Sequence, residues 1–188
     1  MRQAQTLNEA QFRRVLHYCR SRRHPVRDTT IFMVSFYAGL RAKEIAALKL
    51  GDVFDDTGAV RDQFILGVDQ SKGRQRRTVY LNQRLMKALA SYAKSKCVRE
   101  LNYPLLETQK GGHFSANTMC QLFLNIYKAC GLKGASSHSE RRTYITQLAN
   151  KGVGVRLLAE LAGHSHISTT QRYIDVNSDQ LSQAVELL

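Results

Sequence analysis

Apolar residues recur at helical spacing over most of this chain. The stretch TLNE at residues 6–9 fits a capping box opened by Thr6, and the apolar positions of residues 12–19 repeat every three or four residues behind it. Pro25 suits the first turn of a second helix that runs to Gly39. Further helices are predicted for residues 41–50, from Asn82 onward, from Ser115 to Gly131, for residues 137–150, 155–162 and 168–174, and after Ser178.

The pattern becomes rich in β-formers between Val53 and Leu81. Three segments, VFDDTGAV, QFILGVDQ and RRTVYLN, alternate with the turn sequences Asp-Thr-Gly and Lys-Gly-Arg. They predict a small three-stranded antiparallel sheet near residues 53–81. The fold class is therefore α+β and mainly α-helical, and a length of 188 residues indicates one domain.

The charge of the chain points to a polyanion as partner. It carries 28 Lys+Arg against 15 Asp+Glu, a formal net charge of +13, and self-repulsion of that size opposes folding. Charge alone does not separate DNA from RNA or from an anionic membrane surface, and a basic protein without such a partner remains an alternative. The basic residues are concentrated in two stretches, residues 13–27 and 72–77.

The cysteines and the apolar runs bear on the compartment. The four cysteines form no C-x-x-C pair, and Cys120 and Cys130 fall in a helical apolar pattern, so we expect reduced thiols. The run IFMVSFYAGL is too short to cross a bilayer and fits a core helix better. We therefore expect a cytoplasmic protein with no membrane partner.

Four separated segments carry the most specific signal. They are GLRAKEIAALKLGDV (39–53), SKGRQRRTVYL (71–81), HSERRT (138–143) and GHSHISTTQRY (163–173). Each alone is weak, but their order and approximate spacing resemble the catalytic domain of the tyrosine recombinase/integrase family over nearly the whole chain. The resemblance implies a catalytic set of Arg41, Lys72, His138, Arg141, His164 and the nucleophile Tyr173, with Glu44 as the acidic neighbour of Arg41.

The two arginines suit attack on a phosphodiester. Such attack builds negative charge on nonbridging oxygens, and the planar fork of Arg41 or Arg141 can bond two of them without losing its proton. Taken alone, Arg41 would equally fit a surface helix, and Glu44 an ordinary ion pair on the same face. Arg142 also neighbours His138 on a helix, so spacing does not choose between the arginines; only the resemblance favours Arg141.

The remaining members of the set would move protons or bind phosphate. A histidine such as His138 can take a proton from a phenol or return it, although a lone histidine is more often an ordinary residue at a helix start. Lys72 precedes a turn glycine, so it stands at a hairpin tip, where it could protonate a departing 5′ oxygen or simply be solvated. Neighbouring arginines are expected to contact the DNA backbone: Arg74, Arg76 and Arg77.

Tyr173 is the residue on which the predicted reaction depends. Its phenol is a weak nucleophile until a base and nearby cations assist it. Attached to phosphorus, it would store the bond as a 3′-phosphotyrosine that a second 5′-hydroxyl can displace, without metal, ATP or another cofactor. A metal site at His164 and His166 is disfavoured, because no nearby Cys, Asp or Glu completes the ligand set.

The resemblance also implies partners and departures from the family pattern. The expected partner is double-stranded DNA, on which the protein would form a tetramer, whereas the free protein would be a monomer. The resemblance also implies accessory DNA-bending proteins and an association with the nucleoid. Glu140 replaces a usually apolar residue and is expected to pair with a basic neighbour or turn outward. We expect residues 1–188 to form a single catalytic domain without an N-terminal clamp domain. Alternative functions are a DNA-binding regulator that does not recombine, and relaxation of DNA like a type IB topoisomerase.

Overall fold

The computed structural model describes residues 4–71, 76–95, 100–174, 181–182 and 185–186. Within them the fold is mainly helical with one small sheet, as predicted. Its elements are α1 (Glu9–Ser21), α2 (Pro25–Ala38), α3 (Ala42–Ala46), α4 (Leu50–Val53), β1 (Gln63–Leu66), β2 (Arg77–Tyr80), α5 (Gln83–Lys94), α6 (Ala116–Ala129), α7 (Ser139–Asn150), α8 (Val155–Ala162) and α9 (Ile167–Gln171). The predicted helix after Ser178 falls largely outside the described residues.

The first helix begins two residues later than the capping pattern suggested. Asn8 is the cap: its side chain accepts a hydrogen bond from the Gln11 N–H at 2.9 Å, and the Gln11 side chain accepts from the Asn8 N–H at 3.0 Å. The prediction that Thr6 caps this helix is wrong because Leu7 is held outside it. The Leu7 N–H donates to the Thr143 hydroxyl of α7 at 2.8 Å, and the Leu7 side chain is buried.

Helix α2 is the central element of the core. Pro25 occupies its first turn, and Gly39 ends it with a left-handed φ of 61°. The helix packs against α1, α5 and α7, while α3 packs on α6 and α8 contacts α7, α9 and β2. Rings of α2 and α6, among them Phe32 and Phe123, are fully buried. No helix among the described residues is long and apolar enough to cross a membrane.

The described sheet has two strands, not three. β1 and β2 pair antiparallel, with Gln63 opposite Tyr80 and Leu66 opposite Arg77. The expected first strand is reduced to one isolated bridge between Phe54 and Val60. The chain turns too tightly for a longer ladder, because the Asp55 carboxylate accepts hydrogen bonds from the N–H groups of Thr57 and Ala59 at 2.9 Å each.

Part of the N-terminal basic stretch serves the fold itself. Asp28 of α2 is 1% exposed and forms ion pairs with Arg22 at 2.6 Å and with Arg27 at 2.8 Å. A buried carboxylate requires such partners. These two arginines therefore neutralise an internal charge, and the local excess of positive charge on the surface is smaller than the sequence count suggests.

Candidate active site

The site begins where α2 ends. The left-handed Gly39 turns the chain, and Arg41 follows as the residue that caps α3. Glu44, one turn into α3, accepts hydrogen bonds from the Arg41 backbone N–H and from its guanidinium Nη1, both at 2.8 Å. The bond from Nη1 fixes the direction of the Arg41 side chain, which remains 21% exposed.

A second arginine completes the environment of Glu44. Arg77, the first residue of β2, donates from Nη2 to the second Glu44 oxygen at 2.9 Å. Burial alone would raise the pKa of the fully buried Glu44 carboxyl, but Arg77 and the Arg41 backbone N–H outweigh it and hold the pKa below its usual value. Glu44 is therefore a carboxylate that anchors two arginines.

Arg141 lies in the first half of α7 and is 3% exposed. Its Nη1 donates to the Gly39 carbonyl at 2.7 Å, and its Nη2 donates to the Ala162 carbonyl at the end of α8. Burial and the nearby cations Arg41 and Arg77 lower the pKa of Arg141 to about 9, so the group is still charged at neutral pH. The guanidinium thus joins the C-terminal ends of two helices that are distant in sequence.

His164 follows α8 directly. Gly163 ends the helix with a φ of 61°, and the next residue places its imidazole Nδ1 2.9 Å from the Thr170 hydroxyl of α9. Burial, followed by the nearby cations Arg141 and Arg41, lowers the pKa of His164 to about 4. The ring is therefore neutral at physiological pH, and Nε2 is the nitrogen left for a ligand.

Tyr173 lies two residues beyond α9 and is half-buried. Its ring stacks near that of His164, with centroids 5.8 Å apart and planes inclined by 19°, and the Arg142 guanidinium lies 5.9 Å above it. The backbone is held at two points: its N–H donates to the Thr170 carbonyl at 2.9 Å, and its carbonyl accepts from the Thr146 hydroxyl at 3.1 Å.

The fold thus brings most of the described candidate residues together. Arg41, Glu44, Arg141, His164 and Tyr173 converge from four parts of the chain, and their charges act on one another. The other predicted residues divide into three cases: His138 is exposed at the start of α7, one turn before Arg141, Arg76 is exposed, and Lys72 and Arg74 lie outside the described residues.

The structure bears on two expectations about charged residues. Arg77 is 8% exposed and bonded to protein groups, and its contact with a DNA backbone stays a prediction. Glu140 neither turns outward nor pairs with a basic residue: it is 0% exposed, and its carboxyl oxygens have no hydrogen-bond partner in the described part of the chain. Both side chains point inward because their neighbours in β2 and α7 place them on the core face.

Sequence reasoning missed one residue of the site and the contacts of two others. Thr170, which bonds His164, was not predicted, whereas Arg142 and Arg77 were considered but not as neighbours of the Tyr173 ring and of Glu44. A signal existed for Arg77 because side chains alternate along a strand, which places it on the same face as the apolar Val79. No comparable pattern marks Thr170, since a contact between α9 and the turn before it depends on tertiary geometry.

The chemistry available here follows from the charges. Two fixed guanidiniums, Arg41 and Arg141, favour a group with two or more anionic oxygens. A neutral imidazole and a half-buried phenol lie close to them, so a nucleophile and a proton-transferring group are within one site. This arrangement suits a phosphate ester as ligand.

Known proteins resemble the chain in sequence. Residues 5–180 match the profile described as the phage integrase family. A tyrosine recombinase XerC of Pelobacter propionicus is 27% identical over 162 residues, covering 86% of this chain and 51% of that protein. A tyrosine recombinase XerA of Pyrococcus furiosus is 28% identical over 163 residues, covering 86% of this chain and 54% of that protein. The chain therefore spans about half the length of these curated relatives.

Solved structures share the fold. The structure of a Tn1549 transposon integrase in complex with a circular intermediate DNA has a TM-score of 0.81 at 21% identity, covering 100% of this chain and 67% of that one. The catalytic domain of bacteriophage HP1 integrase has a TM-score of 0.70 at 21% identity, covering 98% of this chain and 95% of that one. At these identities the likeness concerns the fold.

Proposed function

The chain belongs to the phage integrase family, the family of tyrosine recombinases, and on that basis we propose that it forms the catalytic part of a site-specific DNA recombinase. The observation that carries the proposal is the convergence of Arg41, Arg141 and a neutral His164 around the half-buried phenol of Tyr173. The named activity of the curated relatives, tyrosine recombinase, agrees with it.

The proposed reaction is a reversible transesterification. The Tyr173 oxygen attacks a DNA phosphorus, a P–O bond forms to the phenol, and the bond to the 5′ oxygen breaks. Arg41 and Arg141 stabilise the charge on the nonbridging oxygens. The phenolic proton passes to a histidine, either His138 or His164, and Lys72 protonates the departing 5′ oxygen.

The phosphotyrosine then preserves the energy of the broken bond. A 5′-hydroxyl from a second duplex attacks the same phosphorus and displaces the Tyr173 oxygen, so strands are exchanged through a Holliday junction without ATP or metal. The DNA-bound tetramer, the free monomer, accessory DNA-bending proteins and an association with the nucleoid in the cytoplasm belong to this proposal.

A covalent adduct is the test of this function. Nicked duplexes with a randomised core trap the adduct, because the short strand released by cleavage diffuses away and cannot reverse the reaction. We expect wild-type protein to form a covalent adduct with DNA that persists on a denaturing gel. Tyr173→Phe should form no adduct but should still bind DNA. Tyr80→Phe is the matched control, since it removes an exposed phenol from β2.

The outcomes separate the rival functions. DNA binding without any adduct across the library overturns the strand-transfer activity and leaves a DNA-binding regulator. An adduct that survives Tyr173→Phe overturns the nucleophile. Relaxation of supercoiled plasmid by a monomer, without a preferred sequence, identifies a topoisomerase instead.

A further inference from the structure

One arginine in the described structure connects three parts of the site without belonging to the reactive set. Arg77 at the start of β2 donates from Nη2 to Glu44 of α3 and from Nη1 to the Leu161 carbonyl of α8, both at 2.9 Å. Its side chain is 6% exposed. The guanidinium therefore ties the sheet to the two elements that present Arg41 and His164.

The side chain is also fitted sterically to the turn before His164. A Cβ added to Gly163 would lie 2.4 Å from Arg77 Cδ and 2.9 Å from its Nε, closer than such atoms approach. Gly163 has a φ of 61°, which strains any residue with a side chain. The aliphatic part of Arg77 thus packs directly on the backbone of the turn.

Electrostatics favours this position for a cation. The last carbonyls of a helix lack intrahelical partners and carry the negative end of its dipole. At the end of α8 two such carbonyls receive arginines, Leu161 from Arg77 and Ala162 from Arg141. The helix end that leads into His164 is therefore fixed from two sides.

We propose that Arg77 is a positioning residue for the reaction at Tyr173, holding Glu44 and the Gly163–His164 turn in a fixed relation and making no contact with DNA. The expected effect of Arg77 on the cleavage rate rests on the proposed function, whereas its effect on the position of His164 does not. Arg77 orients Arg41 through their shared carboxylate, and it sets the place of His164 through the end of α8.

The first measurement uses the free 188-residue chain and needs no DNA. Histidine NMR signals are followed from pH 7 downward in wild type, Arg77→Lys and Arg77→Met. Burial and the cations Arg141, Arg41 and Arg77 lower the pKa of His164 to about 4. Arg77→Met removes one cation and loosens the turn, so we expect this pKa to rise by about one unit.

The control variant is Arg61→Met, which removes an equal charge from an exposed position outside the site. It should leave the pKa of His164 unchanged. An unchanged pKa in both Arg77 variants would show that the turn does not depend on Arg77 and would overturn the proposal. If Arg77→Met does not fold, Arg77→Lys still tests the proposal, because lysine keeps the charge but cannot donate hydrogen bonds to both Glu44 and the Leu161 carbonyl as the guanidinium does.

The second measurement separates positioning from DNA contact. A nicked duplex selected by its adduct with wild type is used to measure the Kd, its salt dependence and the single-turnover cleavage rate at saturation. For Arg77→Lys and Arg77→Met we expect cleavage to slow on the order of ten- to hundred-fold, with Kd and salt slope unchanged.

A change in DNA affinity without a change in cleavage rate would indicate that Arg77 contacts DNA. A weaker Kd with a salt slope reduced by about one, and a wild-type rate at saturation, would make Arg77 a phosphate contact and overturn the proposal. If wild type forms no adduct at all, the proposed function fails, whereas the His164 titration still decides whether Arg77 holds the turn.

Discussion

Two glutamates of this protein are equally buried, but their hydrogen-bond partners differ and their pKa values are shifted in opposite directions. Glu44 and Glu140 are each 0% exposed. Glu44 accepts three hydrogen bonds from Arg41 and Arg77, which hold its pKa below the usual value against the effect of burial. Glu140 has no hydrogen-bond partner for either oxygen among the described residues, and burial raises its pKa well above the usual value.

The difference shows that burial sets the cost of a charge and the neighbouring cations decide whether it is kept. Glu140 is adjacent in sequence to Arg141, yet that guanidinium is directed to the carbonyls of Gly39 and Ala162. The arginines therefore hold Glu44 as a carboxylate that organises the site, while burial disfavours the charged form of Glu140. Substitutions at each should act in opposite directions.

The largest effect is expected for Glu44→Gln. It leaves Arg41 and Arg77 without their shared counter-charge, and breaking a buried ion pair costs about 3–5 kcal/mol of unfolding free energy. Urea denaturation at pH 7 measures the loss. Glu9→Gln is the matched control, because Glu9 pairs with Arg13 on an exposed helix face where such pairs contribute little.

The stability difference between wild type and Glu44→Gln should decrease as pH falls. Since the folded pKa of Glu44 is lowered, its stabilisation is present above the unfolded pKa of 4.5 and is lost as pH falls through the folded pKa. Wild type and Glu44→Gln should therefore converge in acid. Equal stability of the two proteins at pH 7 would contradict the role given to Glu44.

Glu140→Leu should stabilise the protein by about 1–3 kcal/mol at neutral pH, because it removes a buried carboxyl that has no hydrogen-bond partner among the described residues. The raised folded pKa means that the folded state keeps a proton which the unfolded chain loses above pH 4.5. The unfolding free energy of wild type therefore falls as pH rises above 4.5, and the stability advantage of Glu140→Leu should become smaller at acidic pH. Urea denaturation at several pH values measures both the gain and its slope; a less stable variant at neutral pH would rule out this account.

The smallest effect tests a neutral pair in the same site. Thr170 is 0% exposed and bonds His164 Nδ1. Thr170→Val keeps the shape and removes the hydroxyl, so we expect a loss of about 1 kcal/mol in unfolding free energy. Denaturation beside Thr169→Val, a half-buried neighbour, checks it. Equal losses in both variants would indicate that the bond to His164 contributes nothing specific.

Local chemistry explains what the sequence could predict. Pro25 and Gly39 bound α2, Asn82 and Ser115 cap α5 and α6, and each acts through residues within a few positions. The candidate set depended on a resemblance in four segments, and the fold brings Arg41, Arg141, His164 and Tyr173 together while His138 is exposed. The role of each in catalysis stays a prediction.

Long-range contacts explain what it could not. Thr6 and Asn8 both match a capping pattern, and only the bond from Leu7 to Thr143 in a distant helix decides between them. Glu140 was expected to find a partner, but the direction of a helical side chain is set by what packs around α7. The bond of Arg77 to Glu44 was not foreseen, because the charge of Arg77 was considered without the alternation of side chains along β2.

The bonds that join Gly39, Arg77, Arg141 and the end of α8 also bear on the order of folding. They link residues 33, 84 and 102 positions apart, with one shorter link of 21. Closing such loops is slow because chain entropy is lost before contacts compensate for it. The cluster around Glu44 and Arg141 therefore forms only when these distant segments have met. The proposed strand-transfer activity is accordingly expected only together with the complete tertiary structure.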